Sequence, residues 1–220
     1  MTFRDRAEAG RTLAARLVAY KDRMPLVLAL PRGGVPVGYE IARALAAPLD
    51  VMLVRKLAAP GQPELAIGAI ALGADPEIVT DPDLIAALGI SDAELAAIER
   101  RAFDELYRKR ALFLAGRPPV LVAGRTAILV DDGIATGATM RAALRATRAA
   151  KPERITLAVP VAPPDTLKAL ASEADEIVCL ERPRRFTAVG RFYQRFPQLD
   201  DREVIVLLEQ ARSIGQGGTE

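Results

Sequence analysis

Histidine and tryptophan are absent from this 220-residue chain, and it has a single cysteine, Cys179. Without histidine there can be no Ser-His-Asp or Cys-His nucleophilic machinery and no zinc site built on imidazole. Acid–base work is left to Asp, Glu, Lys, Tyr or a substrate, and a bound metal would be a hard, oxygen-liking ion such as Mg²⁺. A lone cysteine forms no internal disulfide. In the apolar run EIVCL it reads as a small buried hydrophobe, and this usage fits a reducing cytosol. An excess of one charge is also missing: 30 basic and 28 acidic residues leave a net +2. That balance argues against a dedicated nucleic-acid or membrane surface. No apolar run reaches transmembrane length, and the charged opening MTFRDRAEAG lacks the apolar stretch of a secretory signal. The expectation is a cytoplasmic protein with no membrane and no nucleic-acid partner.

What is present is ordinary for a globular protein, half apolar and about a quarter charged, with length for one α/β domain plus a small addition. Residues 3–20 carry apolar positions at helical spacing. PLVLALP (25–31), LDVMLVRKL (49–57), ELAIGAIAL (64–72), RTAILVDD, RITLAVPVA and DEIVCLE read as strands, with EIVT (77–80) a short partner. Between them lie helical stretches, including a long one over 91–115 that Ser91 and Glu94 cap. Strands that alternate with helices and lack polar alternation predict an α/β fold with a parallel sheet covered on both faces. From residue 183 the texture changes, and RPRRFTAVGRFYQRFPQ concentrates four of the chain's ten aromatic residues among arginines. The division expected is a core over 1–182, a C-terminal segment and helix over 183–213, and a flexible tail over 214–220.

The stretch AILVDDGIATGATM (127–140) carries the chemistry. Asp131 and Asp132 end an apolar strand, at the carboxyl end where ligands bind in open parallel sheets. In the loop that follows, Gly133, Ala135, Gly137 and Ala138 keep side chains clear, so backbone N–H groups and a helix N-terminus can meet a phosphate. Thr136 and Thr139 add hydroxyl donors. A phosphate alone would repel the carboxylates, which need hydroxyl or cationic partners. A phosphorylated ribose, with a divalent cation nearby, satisfies both. Without a ligand, two stacked carboxylates at a buried strand end would be costly.

ILVDDGIATGAT closely resembles the signature of the type I phosphoribosyltransferases: four apolar residues, two acids and a TGxT loop. The resemblance implies that Asp131 and Asp132 hold the ribose hydroxyls of phosphoribosyl pyrophosphate (PRPP) and that Ala135 to Thr139 cradle its 5′-phosphate. It assigns PRGGVPVG (31–38), with Arg32, Gly33 and Gly34, to the pyrophosphate, often through a cis peptide at the start of that loop. In VRKL (54–57), Arg55 and Lys56 resemble an RK pair that neutralises pyrophosphate, both expected to face the same crevice. The following APGQPE falls where the family carries a mobile lid. Mg²⁺ is implied as cofactor, held mainly through PRPP, with Asp131 and Asp132 reaching it through water.

The chain also departs from one branch of that family. Ala135 stands where the hypoxanthine–guanine branch has a third acid acting as base, which weighs against 6-oxopurines. Phe186, Val189, Phe192 and Tyr193 fall where purine enzymes have part of an acceptor-binding hood, which helix 3–20 would join; they either stack on a flat acceptor or pack the hood onto the core. No general base is evident, leaving water or a carboxylate such as Glu64. The chain as a whole looks most like bacterial phosphoribosyltransferases of unassigned acceptor. The expected reaction is transfer of phosphoribosyl to a nitrogen nucleophile. The alternatives are a non-catalytic PRPP- or nucleotide-binding regulator and a sugar-phosphate hydrolase. A homodimer, with helix 91–115 at its interface, is expected by analogy.

Overall fold

The computed structural model describes residues 2–72, 76–117 and 120–214. The tail expected over 214–220 lies outside them from residue 215 on, and nothing is described of the Glu64 side chain.

Helix α1 (Arg6–Leu17) starts at Asp5, whose side chain accepts from the Glu8 N–H, and buries Ala9, Leu13 and Leu17. It ends three residues before the predicted limit and tightens into 3₁₀ turns over Val18–Arg23. Strand β1 (Leu26–Ala29) is buried throughout. Helix α2 (Gly34–Leu45) begins inside the RGG turn, earlier than the periodicity predicts, with Pro36 in a first turn that tolerates proline. Then follow β2 (Leu49–Val51), β3 (Leu53–Ala59), β4 (Gln62–Leu72), β5 (Pro76–Thr80) and the short helix α3 (Pro82–Ala87). The long helix α4 (Asp92–Leu114) opens with the capping box predicted for Ser91 and Glu94. The chain closes with β6 (Thr126–Val130), α5 (Ala138–Ala149), β7 (Arg154–Val161), α6 (Pro164–Leu170), β8 (Glu176–Glu181) and α7 (Asp201–Gln210).

Five strands form the parallel sheet, in the order β2-β1-β6-β7-β8. Alternate residues of the central strands serve two separate cores. Val27, Ala29, Ile128 and Val130 pack with α1, α2, α4 and α7. Leu26, Leu28, Ala127 and Leu129 pack with α5 and α6. This two-sided burial is why these strands read as unbroken apolar runs.

The run LDVMLVRKL is two strands rather than one. The chain leaves the parallel sheet at Met52, and β3, β4 and β5 form a second, antiparallel sheet. APGQPE, expected as a lid, contains the tight turn of the β3–β4 hairpin, with Gly61 at φ 70° next to Pro60, as a type II turn requires.

Helix α1 lies close against α2. A Cβ at Gly10 would come within 2.8 Å of the Val37 carbonyl oxygen, so the approach needs glycine. Buried Glu40 on α2 accepts from Arg11 of α1 at 3.1 Å and from Arg43 at 2.6 Å. Among the described residues, no helix is long and apolar enough to cross a membrane.

Candidate functional site

Strands β1 and β6 are neighbours in the sheet, with Ala29 opposite Val130. After β1 the chain goes outward to β2, and it returns on the other side of β1 as β6. Their carboxyl ends therefore form a switch point, where the two outgoing loops diverge and leave a crevice. The Leu30 N–H donates to the Val130 carbonyl at 2.9 Å, which carries the ladder up to the loops. The loop after β1 presents Arg32, Gly33 and Gly34, and the Pro31–Arg32 peptide bond is cis. The loop after β6 presents Asp131 to Thr139.

The loops touch through their smallest residues. A Cβ at Gly33 would sit 2.1 Å from Asp132 Oδ2, and one at Gly34 would sit 2.6 Å from the Val130 carbonyl oxygen. Gly137 precedes α5 with φ 81°, a left-handed conformation that suits glycine. Thr166 of α6 donates its hydroxyl to the Ala135 carbonyl at 2.7 Å and so fixes the small-residue loop from behind.

The two carboxylates differ in their surroundings. Asp132 is buried, and its Oδ2 accepts from Arg6 Nε at 2.7 Å. Asp131 accepts the Asp132 backbone N–H at 2.8 Å. Burial and the neighbouring Asp132 charge hold the Asp131 carboxyl well above the usual carboxylate range. Burial also raises Asp132, with the Arg6 guanidinium opposing it.

Two cavities receive the sequence-predicted residues. One of about 520 Å³ has Lys56, Thr136, Ala138 and Thr139 in its wall, together with Arg141 and Arg145 of α5. The other, of about 460 Å³, brings Arg32, Gly33, Asp132 and Val189 together with Arg6 and Phe196. Arg55 joins neither group. It lies between Val54 and Lys56 on β3, where consecutive side chains point to opposite faces, and pairs instead with Glu105 of α4 at 2.9 Å. Arg55 and Lys56 therefore do not face one crevice as expected.

Of the hood residues, Val189 lines the second of these two cavities, and it also packs tightly over Gly133. Phe186 and Phe192 stack on each other at 5.7 Å. Tyr193 is buried against Phe3, and its hydroxyl donates to the Asp132 carbonyl at 2.6 Å. Burial and the Asp132 charge push its phenol up, so it stays a donor. Sequence reasoning missed Arg6, Thr166 and Phe196. Only the aromatic cluster signalled Phe196; nothing local marked Arg6 or Thr166.

Two carboxylates are a hard-oxygen donor set suited to Mg²⁺. Among the described residues no group of three or more His, Cys, Asp or Glu side chains could hold a metal ion.

Paired acids and a small-residue loop thus stand together at the switch point of a parallel α/β sheet. Residues 4–192 match the phosphoribosyl transferase domain, and the chain belongs to that family. It is 46% identical over 217 residues to Rv0571c of Mycobacterium tuberculosis, whose name assigns it provisionally to the phosphoribosyl transferases. That match takes in 98% of this chain and 48% of the relative, so the chain spans about half the length of the curated relatives it matches. The crystal structure of TT1426 from Thermus thermophilus is 42% identical, with a TM-score of 0.83, covering 96% of this chain and 99% of that one.

Proposed function

We propose that the protein transfers a 5-phosphoribosyl group from PRPP to a nitrogen nucleophile of the nucleobase-like class, and releases pyrophosphate. The observation that carries this reading is the contact of Asp132 with Gly33. It brings the paired acids against one anion-seeking loop, while the same strand end opens directly into the other. In this reading the 5′-phosphate lies on the 133–139 loop, where Thr136, Thr139 and Lys56 share a cavity wall. The ribose hydroxyls donate to Asp131 and Asp132. The pyrophosphate lies over Arg32, Gly33 and Gly34, and C1 faces the cavity that Val189 closes.

The nucleophile's nitrogen bonds to C1 as the bond from C1 to the pyrophosphate oxygen breaks, with inversion through an oxocarbenium-like transition state, and the proton that nitrogen carried passes to water. The bonding electron pair leaves with pyrophosphate, and Arg32 stabilises the charge that develops there. Mg²⁺, when bound with PRPP, adds neutralisation of that leaving group. The acids and the phosphate loop fix the donor at points remote from C1, so binding energy positions the reacting atoms.

The test is calorimetric titration of PRPP, with and without Mg²⁺, into the wild type and the Asp131→Asn/Asp132→Asn variant. Binding that needs both the metal and the acids is expected. An acceptor screen by pyrophosphate release then separates transfer from a non-catalytic binding role. A well-folded wild type that does not bind PRPP would overturn the reading.

A further inference from the structure

The N-terminal turn and the segment after β8 are joined backbone to backbone. Phe3 N–H donates to the Phe192 carbonyl at 2.8 Å, Gln194 N–H to Phe3 at 2.8 Å, and Arg195 N–H to Arg4 at 2.9 Å. This junction, with α1 seated on α2 through Gly10, delivers the Arg6 side chain into the site.

Arg6 is 8% exposed, unusually deep for an arginine. Its Nε donates to Asp132 Oδ2 at 2.7 Å, and its Nη1 donates to the Pro197 carbonyl at 2.9 Å. Its guanidinium carbon lies 3.7 Å from the centroid of the Phe196 ring. Three contacts of different kinds thus fix one planar cation. Tyr193 holds the Asp132 backbone from the same C-terminal segment. A carboxylate has about four acceptor directions, and Nε uses one of them, so others remain for a ligand.

We propose, resting on the PRPP reading of the site, that Arg6 is a positioning residue: it holds the Asp132 carboxylate turned as an acceptor for a ribose hydroxyl. It also couples the donor site to the C-terminal wall, because the guanidinium that orients Asp132 is itself held by Phe196 and Pro197. The charged and titratable groups facing Asp132 are Asp131 beside it, Arg6 from α1 and Tyr193 from the C-terminal segment, while Arg32 lines the same cavity. Of these, Arg6 is the cation in direct contact. Its removal leaves the Asp132 carboxylate without the donor that fixes its orientation.

The experiment is calorimetric titration of PRPP with Mg²⁺ into the wild type, Arg6→Gln, Arg6→Lys and Phe196→Leu, with urea unfolding read beside it. PRPP affinity is expected to fall about ten- to a hundredfold in Arg6→Gln, as for loss of a charge-assisted hydrogen bond. Arg6→Lys, which keeps a donor without the planar fork, is expected to restore part of that loss. Phe196→Leu, which leaves Asp132 and Arg6 in place but removes the ring under the guanidinium, is expected to weaken binding by a smaller factor. If Arg6→Gln does not fold, Arg6→Lys and Phe196→Leu decide. Wild-type affinity in the folded variants, with stability alone lowered, overturns the proposal. Failure of the wild type itself to bind PRPP would instead overturn the PRPP reading, and the proposal with it.

Discussion

Gly33 and Asp132 fit together so closely that a single added carbon has no room: a Cβ on Gly33 would lie 2.1 Å from Asp132 Oδ2. Gly33 has ordinary helical dihedrals, φ −60° and ψ −36°, so space rather than backbone freedom demands glycine there. Gly33→Ala must push the carboxylate away from Arg6 or shift the loop. Overpacking of this kind costs about 1–3 kcal/mol. The expected outcome is a lower midpoint in urea unfolding and loss of PRPP binding by calorimetry.

The raised Asp131 carboxyl makes the ligand-free site a cost to stability. Between the unfolded carboxylate value, 3.8, and the higher folded one, the folded chain holds a proton that the unfolded chain has released. Stability is therefore fully present below the unfolded value and falls as pH rises through that window. Asp131→Asn removes the falling part, and its side-chain oxygen can still accept the Asp132 N–H. Melting curves against pH should show the variant more stable near neutrality by about 2–4 °C for each kcal/mol relieved. That advantage should shrink on acidification toward pH 4, while PRPP binding is lost.

Thr166 supports the phosphate loop from α6 through its bond to the Ala135 carbonyl. Thr166→Val keeps the methyl that packs at Gly137 and deletes only the hydroxyl. The carbonyl lies at an exposed position, so stability should change little. Affinity for PRPP should fall about two- to tenfold, the equivalent of one ordinary hydrogen bond, in calorimetric titration.

Lys56 and Arg55 should separate on substitution. Lys56 shares a cavity with Thr136 and Thr139, whereas Arg55 is paired with Glu105 on a half-exposed surface. Lys56→Ala should weaken PRPP binding and make what remains less sensitive to salt. Arg55→Ala should leave binding near the wild-type value and cost at most about 1 kcal/mol of stability, as exposed pairs do. Equal losses in both variants would show that the hairpin moves to bring Arg55 into the site.

The acids and the phosphate loop were legible in the sequence because strand, turn and helix start are consecutive, and local chemistry marks each one. The central strands β1, β6 and β7 were legible for a related reason: burial on both faces leaves an unbroken apolar run. The antiparallel sheet was not, since LDVMLVRKL has the same texture on both sides of Met52, where the chain changes sheets. Adjacency in sequence misled at Arg55 and Lys56, because a strand sends neighbours to opposite faces.

By itself, then, the sequence determined the fold class, the two aspartates and the loop that follows them, all set by interactions within a few residues. The tertiary structure alone decided what those aspartates touch. Arg6 is 126 positions from Asp132, and Tyr193 is 61 positions from it. In sequence, one is a polar residue opening an amphipathic helix and the other an aromatic in a basic segment. Their roles exist only once α1 packs on α2 and the Phe3–Tyr193 junction closes, because a buried ion pair depends on geometry that no local pattern encodes.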